Sequence, residues 1–86
     1  MRIDKKFVVG SPNTSFTIQW FKKLRKKSGI KVPKKAIGFV VCMGWTNNVV
    51  INTISFCSHH DEWDENVGKR IASERLYNVI NKLENK

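Results

Sequence analysis

The chain has 86 residues, a formal net charge of +9 and 41% hydrophobic residues, including three Trp and five Phe. This length fits a single domain over residues 1–86, and the apolar content excludes a disordered basic tail. No run of about 18 apolar residues and no signal sequence is present, so we expect a cytoplasmic protein without a membrane span. The two cysteines fit reduced thiols better than a secreted disulfide framework.

The charges are segregated along the chain. No acidic residue lies between Asp4 and Asp61, whereas cations are frequent there. These cations are Lys5, Lys6, Lys22, Lys23, Arg25, Lys26, Lys27, Lys31, Lys34 and Lys35. Because mixed charges are enough for solubility, segregation of this kind indicates a surface selected for a polyanionic partner.

The first predicted element is a strand from Ile3 to Val9, ended by a turn over residues 10–13. The segment after the turn is compatible with two structures. A basic helix over about 15–28 collects its large apolar side chains, Phe16, Trp20, Phe21 and Leu24, on one face. A strand alternates apolar and polar side chains over residues 15–21.

The helix is favoured because it gives a role to the residues that flank the segment. Thr14 or Ser15 can cap its N-terminus. Gly29 followed by Ile30 resembles a helix C-terminal stop with its hydrophobic contact. The sequence alone leaves the choice between helix and strand open at residues 15–21.

A β-hairpin is the clearest local structure. Two β-rich runs, residues 36–45 and 49–58, flank Asn47 and Asn48, and Asn tolerates the positive φ of tight hairpin turns. A two-residue turn at Asn47-Asn48 places Trp45 opposite Val50. In this register Cys42 and Cys57 lie too far apart along the hairpin to form a disulfide.

The predicted register sorts the hairpin residues into two faces. A bulky, largely apolar face contains Phe39, Val41, Met43, Trp45, Val50, Asn52, Ile54 and Phe56. A small, mixed face contains Gly38, Val40, Cys42, Gly44, Ile51, Thr53, Ser55 and Cys57. We expect a helix to cover the bulky face.

That helix is predicted over about residues 61–84, with Ser58 as its cap and Asp61 three residues later. Its apolar stripe contains Ile71, Ala72, Leu76, Val79, Ile80 and Leu83. We expect Arg75, at the edge of this stripe, to bind a carbonyl at the sheet edge. The predicted fold is therefore α+β, with a small antiparallel sheet packed against the C-terminal helix.

The main candidate site is a basic segment, defined by Lys22, Lys23, Arg25, Lys26, Lys27, Lys31, Lys34 and Lys35. In the helical interpretation its first four cations project away from Trp20 and Leu24, where they can follow a phosphate backbone. Lysine predominates, and it suits phosphates better than base edges, so we expect non-specific or shape-dependent binding. A solvated cationic surface without a partner is the alternative.

The sequence contains no pattern typical of an enzyme or a metal site. Cys57, His59, His60 and Asp61 are clustered, but no second pair of ligands follows at zinc-site spacing. Phosphate-binding glycine loops and nucleophile motifs are also absent. We expect no catalytic residue, no metal and no cofactor.

A short motif in the C-terminal region resembles a known pattern. Asp61, Trp63, Gly68, Lys69, Ile71, Ala72, Arg75 and Leu76 match D-x-[FW]-x4-G-[RK]-x-I-A-x-x-R-L. In this respect residues 61–76 resemble small, mostly uncharacterised bacteriophage proteins, in which the segment also follows a β-hairpin. The resemblance implies a phage-encoded protein in the host cytoplasm, from a class that often redirects or blocks host machinery, and it implies no site residue.

Two functions follow as hypotheses. In the first, the basic segment binds DNA, RNA or a nucleoprotein machine and modulates or inhibits it. In the second, the protein is a host-takeover or anti-defence inhibitor that binds an acidic patch on a host protein, with Trp20 and Trp45 as candidate aromatic anchors. The sequence does not set the oligomeric state.

Overall fold

The computed structural model describes residues 3–27, 31–46 and 48–84, apart from the Lys27 side chain. In chain order, the elements are β1 (Asp4–Gly10), α1 (Ser15–Lys27), β2 (Ala36–Trp45), β3 (Val50–Ser58) and α2 (Glu65–Glu84). The strands form one antiparallel sheet in the order β1-β2-β3. The predicted α+β fold is confirmed, and residues 15–21 are helical.

The predicted hairpin register is also confirmed. Trp45 pairs with Val50 and Phe39 with Phe56, and one irregularity lies between Ala36 and Gly38. The amide of Thr46 donates to the Val49 carbonyl at 2.9 Å. The predicted turn at Asn47-Asn48 and the predicted stop at Gly29 and Ile30 include residues outside the described ranges.

The expectation that the C-terminal helix covers the bulky face is wrong, because α2 packs on the small face. Val40 and Cys42 from β2 are buried with Ala72, Leu76 and Ile80 from α2. Small side chains let the helix come close to the sheet: a Cβ atom added to Gly44 would lie 2.6 Å from Cδ2 of Leu76. Bulky residues at these positions would hold the helix away.

Part of the bulky face is covered by α1 instead. Phe21 is buried with Phe39 and Val41, and Trp20 and Val32 pack against the same cluster. The sheet therefore lies between two helices, with α1 on one face and α2 on the other. These two sides are called the α1 side and the α2 side below.

The N-terminus of α1 is fixed by threonine side chains. The hydroxyl of Thr14 accepts a hydrogen bond from the Thr17 amide at 3.2 Å, as an N-cap residue does. Thr17 is buried, and its hydroxyl donates to the Ser11 carbonyl at 2.7 Å. This network anchors the start of α1 to the turn after β1.

The predicted start of the C-terminal helix is wrong, because α2 begins at Glu65. Its cap is Asp64, whose Oδ1 accepts from the amides of Asn66 at 3.0 Å and Val67 at 3.2 Å. Ser58 is the last residue of β3. The ring of Trp63 occupies the space beside Gly38, and this long-range contact keeps residues 59–64 in a turn and an irregular segment before the helix starts.

Candidate nucleic-acid interface

The side of α1 that faces solvent is cationic. Phe21 and Thr17 are buried towards the sheet, which fixes the orientation of the helix. Lys22, Lys23 and Lys26 are exposed. Residues on the side of a helix opposite its buried stripe project into solvent, so these lysines present their ammonium groups together on the α1 side.

Arg25 connects α1 to the second half of the basic segment. Its Nη2 donates to the Pro33 carbonyl at 3.5 Å, and its guanidinium carbon lies 5.8 Å from the centroid of the Phe21 ring. The same carbonyl accepts from the Ala36 amide at 3.1 Å and closes a turn that carries Lys34 and Lys35. Arg25 therefore links the helix to the turn that carries these exposed lysines.

The remaining cations of the basic segment are Lys31, Lys35 and Lys27, and they lie in different parts of the structure. Lys31 is exposed, in the connection between α1 and β2. The amide of His59 donates to the Lys35 carbonyl at 2.9 Å, which extends the sheet contact beyond β2 and β3. The backbone of Lys27 belongs to the last turn of α1, and its side chain is outside the described part of the structure.

The two candidate aromatic anchors have different environments. The ring of Trp20 is stacked on that of Phe39, with centroids 3.7 Å apart and planes inclined by 11°. One face of this indole is therefore occupied by the core. Trp45 lies on the same side of the sheet but near the hairpin loop, and it is 37% exposed. Of the two, Trp45 is the more accessible to a partner.

Lys5 and Lys6, which precede the basic segment, project to opposite sides of the sheet. Lys5 pairs with Gly44, which faces α2, and its Nζ donates to the Tyr77 hydroxyl at 3.3 Å. Lys6 pairs with Met43 and is exposed on the α1 side. Because strand residues alternate between faces, only Lys6 shares a side with the basic segment.

The acidic residues are concentrated around the start of α2. A cleft of about 520 Å³ lies there between β3 and the helix, lined by Trp63, Cys57, Asp61 and Asp64 among others. Burial, and to a lesser degree the charge of Asp61, raise the pKa of the Cys57 thiol above its ordinary value. The described acids of the C-terminal region therefore lie with α2, and the basic segment lies with α1.

The described part of the chain contains no group of three or more His, Cys, Asp or Glu side chains that could hold a metal ion. The rings of His59 and His60 lie 3.8 Å apart, but the exposed loop that carries them brings up no further ligand. Neither α1 nor α2 combines the length and apolar character needed to cross a bilayer.

Comparison with known proteins gives no relative. No protein-family model, curated protein or solved structure matches the chain. The resemblance of residues 61–76 to bacteriophage proteins therefore stays a prediction.

Two features of the site were not found from the sequence. One is the separation of Lys5 from Lys6, which follows from strand alternation once β1 is paired with β2. The other is the part of the sheet near the hairpin loop that α1 leaves uncovered, where Met43 is half-buried and Val50 is 67% exposed. The predicted register already placed both residues on one face, but we expected a long helix to cover it.

Proposed function

We propose that this protein binds nucleic acid through the α1 side and thereby modulates a nucleic-acid process. The observation that carries the proposal is the contrast in charge between the two helices, because α1 carries cations and no acid, whereas the cations of α2 are interspersed with acids. Lys22, Lys23 and Lys26 are exposed on α1, and the acids of residues 61–84 lie with α2 on the opposite face. A surface of this kind attracts a polyanion to one side of the molecule.

The composition of the interface favours phosphate contacts over base reading. Arg25 is the one arginine of the basic segment, and its Nη2 donates to the Pro33 carbonyl. The exposed cations around it are lysines, which act as point charges and lack the planar fork that recognises guanine. We therefore infer that binding depends strongly on salt and weakly on sequence. If the protein is phage-encoded, the target is host or phage nucleic acid, free or within a nucleoprotein machine.

A pair of matched double variants tests this function. Lys22→Gln/Lys26→Gln and Arg70→Gln/Lys82→Gln remove the same charge from α1 and from α2, and all four residues are exposed. Affinity for a labelled oligonucleotide is measured by anisotropy over a range of salt concentrations. The α1 variant should lower the slope of log K against log salt by about 1.4–1.8. The α2 variant should leave the slope nearly unchanged, and equal slopes in both variants would contradict the proposal.

A pull-down from bacterial lysate distinguishes nucleic-acid binding from the second hypothesis, in which the partner is an acidic protein. The protein serves as bait, with and without nuclease treatment of the lysate. Loss of all captured material after nuclease supports nucleic-acid binding. A discrete protein that survives nuclease, and whose capture needs Lys22 and Lys26, would replace the proposed function with the inhibitor.

A further inference from the structure

The sheet face on the α1 side is only partly covered by α1. The aromatic contacts of the helix are with Phe39 and Phe56. Both residues lie far from the hairpin loop along β2 and β3. Nearer the loop, Trp45 and Val50 form the next exposed pair, with 37% and 67% of their surface accessible. This part of the sheet is called the platform below. It consists of Lys6, Trp45, Val50 and Asn52, and it is bordered by Met43, which is half-buried against the Phe21 cluster.

The platform combines an aromatic ring with polar groups that suit a nucleobase. Trp45 is partly exposed, and its partner across the strands, Val50, is exposed over 67% of its surface. Asn52, exposed on the next rung, carries both a hydrogen-bond donor and an acceptor. Stacking of bases on aromatic side chains beside a cationic surface is the usual basis of binding to single strands.

From this geometry we infer that the platform binds the unpaired bases of a single-stranded nucleic acid. In a duplex the base faces are stacked on one another, so they are not available to an aromatic side chain on the sheet surface. In a single strand the bases can turn onto Trp45 while phosphates contact Lys6 and the lysines of α1, which lie on the same side of the sheet. The inference rests on the proposed function and adds the class of nucleic acid.

Asp4 limits where the strand can lie. It pairs with Trp45 across β1 and β2, and it is exposed two residues before Lys6. Its carboxylate repels phosphates on the β1 side of the indole. Val50 and Asn52, on the β3 side, carry no charge. The bases are therefore expected to approach Trp45 across β3.

The test compares single-stranded and duplex oligonucleotides of the same sequence, with affinities measured by fluorescence anisotropy. Trp45→Ala should weaken single-strand binding by about 5- to 100-fold, the range found when a stacking side chain is removed. Duplex binding should stay within about twofold, because it depends on phosphate contacts. Trp45→Phe should recover most of the single-strand affinity.

A second pair of variants distinguishes a loss of binding at the platform from a loss of binding caused by misfolding of Trp45→Ala. Val50→Asp places a carboxylate on the platform, and Val67→Asp places the same charge at 40% exposure in the first turns of α2. Both lower the net charge equally. Val50→Asp should weaken single-strand binding by about tenfold through repulsion and lost stacking space. Val67→Asp should change it by less than about twofold.

The outcomes separate the two proposals. If Trp45→Ala and Val50→Asp leave single-strand binding unchanged, or weaken duplex binding equally, the platform inference is overturned. The proposed function then still stands if the α1 lysine variant loses affinity for both oligonucleotides. If the wild-type protein binds neither oligonucleotide, the proposed function fails and the platform inference fails with it.

Discussion

The indole of Trp20 lies nearly parallel to the ring of Phe39, with the ring centroids 3.7 Å apart. Phe39 is fully buried and also contacts Phe16 and Phe21. Trp20 is thus part of the contact that holds α1 on the sheet. Because α1 carries the exposed lysines, this aromatic stack also sets the position of the cationic surface.

Replacing the two tryptophans should therefore have different effects on stability. Trp20→Ala removes a stacked, half-buried indole and should lower the free energy of unfolding by about 2–3 kcal/mol. Trp45→Ala removes a more exposed side chain outside the buried clusters and should cost less than about 1 kcal/mol. Urea unfolding followed by circular dichroism measures both. Equal losses would show that Trp45 is also a structural residue.

Gly44 sets the distance between α2 and the sheet. A Cβ atom at this position would lie 2.6 and 2.8 Å from the two δ carbons of Leu76, which is fully buried. Gly44→Ala should therefore lower the free energy of unfolding by about 1–3 kcal/mol. The double variant with Leu76→Ala should lose less than the sum of the single variants, because the new methyl group fills part of the space that Leu76 leaves. Strict additivity in urea unfolding would rule out the contact.

Part of this architecture could be predicted from the sequence. The hairpin register followed from the alternation of side chains around two asparagines, and it set the two faces correctly. The assignment of the C-terminal helix to the bulky face failed because it matched the apolar stripe of the helix to the more apolar face of the hairpin. Gly38 and Gly44 instead indicate that the helix packs on the small face, since a helix that packs closely needs small residues beneath it. The glycines on the small face were the signal that was missed.

The candidate site was predictable in its charges and only partly in its geometry. Lysines at helical spacing were sufficient to predict a cationic face on α1. The packing of Trp20 on Phe39 depended on which face of the sheet α1 covers, and this cannot be predicted from the local sequence of α1. The start of α2 at Glu65 depended on the long-range contact between Trp63 and Gly38, which competes with the local capping signal at Ser58.

Arg75 binds a carbonyl of an edge strand. Its Nη1 donates to the Ile54 carbonyl on β3, which is an edge strand. This confirms the prediction that Arg75 binds a carbonyl at the sheet edge. Arg75→Met should remove this charged hydrogen bond and lower the free energy of unfolding by about 1–2 kcal/mol. The exposed edge carbonyl should also increase self-association, which light scattering detects.

Arg70→Met is the control for Arg75→Met, because Arg70 is exposed on the same helix. It should change the free energy of unfolding by less than about 0.5 kcal/mol. If both variants behave alike in unfolding and in light scattering, the bond to Ile54 contributes nothing to stability or to protection of the edge.

Cys57 should make stability depend on alkaline pH. Burial and then the charge of Asp61 raise the pKa of its thiol, so the folded chain keeps its proton where the unfolded chain has lost it. The resulting stabilisation is complete below the ordinary thiol pKa and is lost as the pH rises through the raised folded pKa. Urea unfolding over this window should give a steeper decline for the wild type than for Cys57→Ala. Parallel curves would contradict the raised pKa.

Lys5 and Lys6 offer a direct test of which side of the sheet binds nucleic acid. The two residues are adjacent, but Lys5 bonds to the hydroxyl of Tyr77 on α2, and Lys6 is exposed opposite Met43 on the α1 side. Substitution of either residue by Glu changes the net charge equally. Differences in binding must therefore come from position.

Lys6→Glu should weaken binding to an oligonucleotide by about tenfold and lower the salt slope by about 0.7–0.9, as expected for the loss of one phosphate contact. Lys5→Glu should change the affinity by less than about twofold at moderate salt, because its charge lies behind the sheet and is screened. Anisotropy titrations at several salt concentrations measure both quantities. A larger effect for Lys5→Glu would place the interface on the α2 side, and equal effects would mean that net charge alone, without a defined surface, attracts the nucleic acid.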